Sequence, residues 1–178
     1  KQTCSYLQQC TSEQRLYNRR MTTNEIIIPL SEPQKAEVRE ATSRCIDQAS
    51  ALYGRAFAPV PVDFDLSGRC AGMYQVRGSS QRIRFNPWLF AKYYQDSVTD
   101  TVIHEVAHYI VDSLYGLKRV KPHGLEWKKI MVDLGGIPKA TGRYDLAGIP
   151  TRQYQRFAYT CVCRTHHLTF LRHRQITY

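Results

Sequence analysis

No run in the sequence approaches the roughly 18 consecutive apolar residues that a membrane-spanning helix needs, and the first residues lack the apolar stretch of a secretory leader. Cysteine is sparse. Its six copies, Cys4, Cys10, Cys45, Cys70, Cys161 and Cys163, are scattered over 178 residues, unlike the dense disulfide framework of a small secreted domain. These absences lead to the expectation of a soluble, cytoplasmic protein that acts as a monomer. Acidic residues run out early: Asp145 is the last, whereas Arg152, Arg156, Arg164, Arg172 and Arg174 follow it. The formal net charge is +10, and its concentration in the tail suits either a solvated surface or contact with nucleic-acid phosphates. Internal repeats and low-complexity tracts are also missing. A hydrophobic content of 43% is enough for one domain with a real core, and two full domains are not expected.

Residues 1–20 are polar and aperiodic, and Met21 precedes sequence of a different character. The stretch 1–30 therefore reads as a disordered extension. From Ser31 a helix is well signalled by a capping box with Gln34, Pro33 in the first turn and a stop at Gly54. Ala36, Val38, Ala41, Cys45, Ile46, Ala49, Leu52 and Tyr53 approximate its apolar face. Strand-like pieces follow at 59–66, 71–76 and 81–86, the last two joined by the turn-forming RGSS. A second helix is expected from about Ser97 to Gly116 and a third from about Gly124 to Leu134. Helix, strands, helix, helix is the order of an α+β domain over 31–150, followed by a basic segment over 151–178.

The second helix contains TVIHEVAHYIVDSLYG at 101–116. Residues four apart share a helical face about 6 Å apart along the axis, so His104 and His108 can direct their imidazoles at one ion. With Glu105 this is H-E-x-x-H, in which two histidines hold zinc and the glutamate takes a proton from activated water. Hydrogen-bonded core histidines are the bland alternative; the long amphipathic helix around the motif argues against chance. A catalytic zinc needs a third protein ligand. Asp112 lies eight residues and so roughly 12 Å along the axis from His104, too far to share its ion. Metzincins are excluded, because Val111 and Leu114 occupy the positions of their glycine and third histidine. His123, Glu126 and Asp133 remain; Pro122 and Gly124 favour His123, with Glu126 as the rival.

Four ordered blocks, RIRFNPWLF (82–90), VIHEVAHYIV (102–111), KPHGLEWKKIM (121–131) and YTCVCRTHHLTFLRH (159–173), resemble the SprT family. The resemblance covers roughly residues 31–178. It implies a small zincin-like α+β core with a C-terminal zinc ribbon, and kinship to Spartan, a DNA-dependent protease that digests proteins crosslinked to DNA. It further implies Zn2+ on His104, His108 and His123, Glu105 as catalytic base, and Trp127 as core packing. The family's ribbon uses C-x-C followed by C-x-x-C. Here Cys161 and Cys163 supply the first pair and no second pair follows, so the ribbon reads as incomplete unless His166, His167 or His173 completes it. Cys45 is expected in the core and Cys70 at a strand end.

The expected activity is zinc-dependent hydrolysis of peptide bonds in protein substrates, with DNA as a further partner through the basic tail. The alternative is a nucleic-acid-binding or regulatory protein whose metal is structural. Tyr109, Tyr115, Tyr144 and the arginines are candidate oxyanion donors; helical geometry turns Tyr109 away from His108, and nothing in the sequence selects among the others. QRIRFN at 81–86 is a candidate cradle for an extended substrate.

Overall fold

The computed structural model describes residues 26–140, 142–151, 155–160 and 165–177. The extension expected over 1–30 lies outside them up to position 25. At its end Leu30 is buried and donates its N–H to the Pro87 carbonyl at 3.1 Å. Helix α1 spans Glu32–Tyr53. Gln34 Oε1 accepts from the Ser31 N–H at 3.0 Å, and Gly54 closes the helix at φ 60°, as the end signals require. The apolar face differs in detail. Ala36 and Leu52 are not part of the buried face, while Thr42 is buried because its hydroxyl donates to the Val38 carbonyl at 2.8 Å.

The main sheet has the order β1-β3-β2, with β1 at Val62–Asp63, β2 at Gly72–Arg77 and β3 at Ser80–Phe85. Gly78 and Ser79 form the turn of an antiparallel hairpin in which Arg77 faces Ser80 and Gly72 faces Phe85. The strand expected over 59–66 shrinks to two residues. Pro59 and Pro61 have no N–H to give to a ladder, although the Pro61 carbonyl still accepts from Ile83. This order corrects the expectation for QRIRFN. β3 is the central strand, paired along its whole length with β2 and in parallel with β1 at Ile83 and Arg84, so it has no long edge to offer a substrate. The two edges are β1, only two residues long, and the longer β2.

Asn86 links sheet to helix. Its Oδ1 accepts from the N–H groups of Trp88 and Leu89, capping α2 (Pro87–Lys92), while its Nδ2 donates to the carbonyls of Gly68 and Cys70. A short helix α3 (Tyr94–Asp96) and one π-helical turn (Ser97–Thr101) lead into α4 (Val102–Tyr115). The second expected helix is thus continuous but wider in its first turn. The third is α5 (Leu125–Asp133). α4 is the axis of the molecule, packed by α1, by α5 and by β2. Its Val102, Val106, Ile110 and Val111 join Ile46, Ile83, Phe85, Trp127 and Ile130 in one core.

Beyond the core, β4 (Arg156–Thr160) and β5 (Thr165–Thr169) form an antiparallel hairpin, followed by α6 (Phe170–Thr177). His173 stacks on Phe157 with ring centroids 3.7 Å apart and shares a 2.8 Å hydrogen bond with Tyr159. Cys161 and Cys163 lie outside the described residues. Among the described residues no helix is long and apolar enough to cross a membrane.

Candidate metal centre

Two elements bring three imidazoles together. α4 projects His104 and His108 from successive turns of one face, and His123 enters from the loop before α5. That loop is a tight turn in which Gly124 donates to the Lys121 carbonyl at 2.9 Å, with Pro122 second and His123 third at φ 54°. Proline followed by a positive φ is the signature of a type II turn, whose third position normally prefers glycine or asparagine. Holding histidine there costs of order 1 kcal/mol or more, which marks the side chain rather than the backbone as the reason for the residue. A Cβ on Gly124 would sit 2.9 Å from the Lys121 carbonyl oxygen, so glycine is required next to it.

The three Nε2 atoms lie 3.1 Å (His104–His123), 3.1 Å (His108–His123) and 3.3 Å (His104–His108) apart. A tetrahedral ion with metal–nitrogen bonds of about 2.0–2.1 Å sets its nitrogens about 3.3–3.4 Å apart. The observed triangle fits that requirement. It fits hydrogen bonding poorly, because three imidazole nitrogens aimed at one point cannot each find a complementary proton in their neighbours. A cation satisfies all three lone pairs at once. Among the described residues these three form the group able to hold a metal. Glu126 and Asp133, the other candidates in the sequence, are not part of it; Asp133 instead accepts from Tyr53 and pairs with Lys129.

Burial keeps the imidazoles neutral. It lowers His104 from 6.5 to about 4 with help from His123, and His108 to about 3 with help from His104 and His123; His123 is lowered by burial too. Neutral imidazole is the form that ligates. Beneath the three rings lies Trp127, 1% exposed, with centroids 4.7, 5.7 and 4.6 Å from His104, His108 and His123. Its role as core packing is therefore joined to that of a floor for the imidazoles, which no spacing in the sequence announces.

Glu105, 5% exposed, faces the same cleft of about 360 Å³ from the flank of α4. Its Oε2 accepts from the Tyr74 N–H of edge strand β2 at 2.7 Å. Burial pushes its carboxyl up to about 8, and the Tyr74 N–H opposes that rise. Gly72 makes the approach possible: a Cβ there would lie 2.7 Å from both Cγ and Oε1 of Glu105. Other walls are Met73, Val111, Leu117, Val120 and Lys121. Tyr109, Tyr115 and Tyr144 do not line this cleft, and among the described residues no arginine does. Tyr109 is buried and donates to the Ala58 carbonyl, and Tyr144 pairs with Thr101. Among the described residues the tyrosine in the cleft wall is Tyr74.

Comparison with known proteins adds an independent finding. A sequence profile described as the SprT-like family matches residues 42–147. Proteins named "Protein SprT" are similar over most of the chain. That of Actinobacillus succinogenes is 33% identical over 142 residues, 80% of either chain. That of Glaesserella parasuis is 34% identical over 140 residues, covering 79% of this chain and 86% of the relative. The Vibrio parahaemolyticus protein is 35% identical over 134 residues, 74% and 76% of the two chains. No solved structure gives a significant match.

Proposed function

The chain belongs to the SprT-like family, and from that membership and its histidine cluster we propose that it is a zinc-dependent metallopeptidase with a zincin-like core. His104, His108 and His123 hold the ion. Zinc bound by three neutral imidazoles acidifies water to a pKa near 7 and polarises a carbonyl, which supplies the electrophilic part of amide hydrolysis. Glu105 is the general base. It accepts the proton of the attacking water as the new C–O bond forms, and then delivers it to the departing amine nitrogen as the peptide C–N bond breaks. A buried carboxyl anchored by one N–H and open to the cleft is placed to carry a proton between two steps. β2 beside it is an edge strand, and apart from the Tyr74 N–H taken by Glu105 it suits an extended peptide added as a further strand.

The observation that carries this reading is the buried carboxyl of Glu105 in the same cleft as the three imidazoles. A metal that merely cross-links the fold has no use for such a group, and burying it costs stability. Free thiols at Cys45 and Cys70 suit residence in a reducing cytoplasm. Exposed Arg156 and Arg172 on the C-terminal hairpin and helix support the reading that DNA-associated proteins are among the substrates. Glu105→Gln tests the hydrolase: the variant keeps zinc and loses cleavage of a casein-like or DNA-bound protein by about a hundredfold or more. Undiminished cleavage would remove Glu105 as base. DNA contact predicts a steep fall of affinity with salt that is weakened in Arg172→Ala.

A further inference from the structure

Asp112 stands one turn beyond His108 on the ligand-bearing face of α4, too far along the axis to share an ion with His104. Its carboxylate is nevertheless fully engaged. Oδ2 accepts from the Tyr74 hydroxyl at 2.7 Å and from Gln81 Nε2 at 3.1 Å, and Oδ1 accepts from the Leu117 N–H at 3.1 Å. Among the described residues no lysine or arginine pairs with it. A half-buried carboxylate satisfied by three neutral donors is held by geometry rather than by a counter-charge.

The destinations of these three bonds share one feature. Tyr74 is the residue whose backbone N–H anchors Glu105, and burial together with Asp112 keeps its phenol protonated well above the ordinary tyrosine range. Gln81 lies on β3 in the hairpin with β2. Leu117 opens the loop that leaves α4 at Gly116 and delivers His123 six residues later. One side chain on the metal helix thus ties down both the strand that positions the carboxyl and the loop that positions the third imidazole.

We infer that Asp112 is a positioning residue that holds the His123 loop and the Glu105-anchoring strand in register with the His104–His108 helix. The loop half of this inference concerns metal retention alone; the strand half rests on the reading of Glu105 as base.

The two halves separate experimentally in the full chain. Asp112→Ala is expected to weaken zinc affinity by about 10–100-fold in chelator competition and to alter the visible absorption of the cobalt-substituted protein. Asp112→Asn, whose amide oxygen still accepts from Leu117, restores the affinity. Tyr74→Phe removes the direct bond between Asp112 and β2 and leaves those from Gln81 and Leu117, so it keeps zinc affinity within about threefold while kcat for peptide cleavage falls about tenfold with KM nearly unchanged. Wild-type affinity and cobalt spectrum in Asp112→Ala overturn the loop tie. Wild-type kcat in Tyr74→Phe overturns the strand tie. If Asp112→Ala does not fold, unaltered turnover in Tyr74→Phe together with unaltered zinc affinity in Leu117→Pro, which removes the donor, overturns both. A wild-type protein that binds zinc yet cleaves nothing defeats the peptidase reading and leaves the metal result to decide the loop tie.

Discussion

Glu105 and Gly72 show how tightly the site is built at the scale of single residues. A Cβ at position 72 would stand 2.7 Å from the Glu105 side chain, so Gly72→Ala must displace the carboxyl or push β2 outward. Peptide cleavage is expected to drop at least tenfold while zinc content stays at the wild-type level; unchanged turnover would show that the carboxyl's present position is not required. Trp127 makes a second residue-scale case. Its truncation to alanine opens a cavity under three imidazoles and costs about 3–5 kcal/mol, measurable by denaturant unfolding of the metal-loaded protein. A loss below about 1 kcal/mol would mean that the ring is not the floor it looks to be. The H-E-x-x-H pair was legible at this scale because four-residue spacing translates directly into a shared helical face. The floor and the glycine were not, since both depend on which side chains meet across the fold.

At the scale of elements, the sequence could name His123 as the partner of His104 and His108 but could not place it beside them. Pro122 and Gly124 flank His123 in a pattern that reads as a turn, and the turn is there. Its left-handed third position is a tertiary outcome, sustained by what the imidazole gains at the cluster. Gly124→Ala, with its Cβ only 2.9 Å from a backbone oxygen, is expected to distort this turn and weaken zinc affinity by about tenfold or more; chelator competition checks it. The strands were the least legible elements. Alternation marks β3 as half-buried but not as central, and only the observed order shows β2 to be the longer edge strand. Asn86, a plain residue in the sequence, closes the N-terminus of α2 and two loop carbonyls together. Asn86→Ala is expected to cost about 2–4 kcal/mol, one lost cap plus carbonyls left unpaired.

For the whole molecule, the metal-free state should show a stability maximum near pH 6.5. His104 and His108 have folded values of about 4 and about 3 against an ordinary 6.5, so below 6.5 the unfolded chain binds more protons and stability falls with falling pH. Glu105 acts in the opposite sense: its folded value of about 8 against 4.5 means the folded chain holds the extra proton, and stability is lost as pH rises through that window. Two histidines outweigh one glutamate up to about 6.5, and the glutamate alone acts from there to about 8. Thermal melts of the zinc-stripped protein across pH 4–9 check this, and a melting temperature rising steadily through pH 8 contradicts it. Excess zinc raises the melting temperature at pH 7 by mass action.

The most direct measurement is metal content per chain for the wild type and for His104→Ala, His108→Ala and His123→Ala. One equivalent of zinc in the wild type that disappears with each substitution is the predicted result. Wild-type protein purified without metal, or three variants that keep the full complement, would contradict the account at its root.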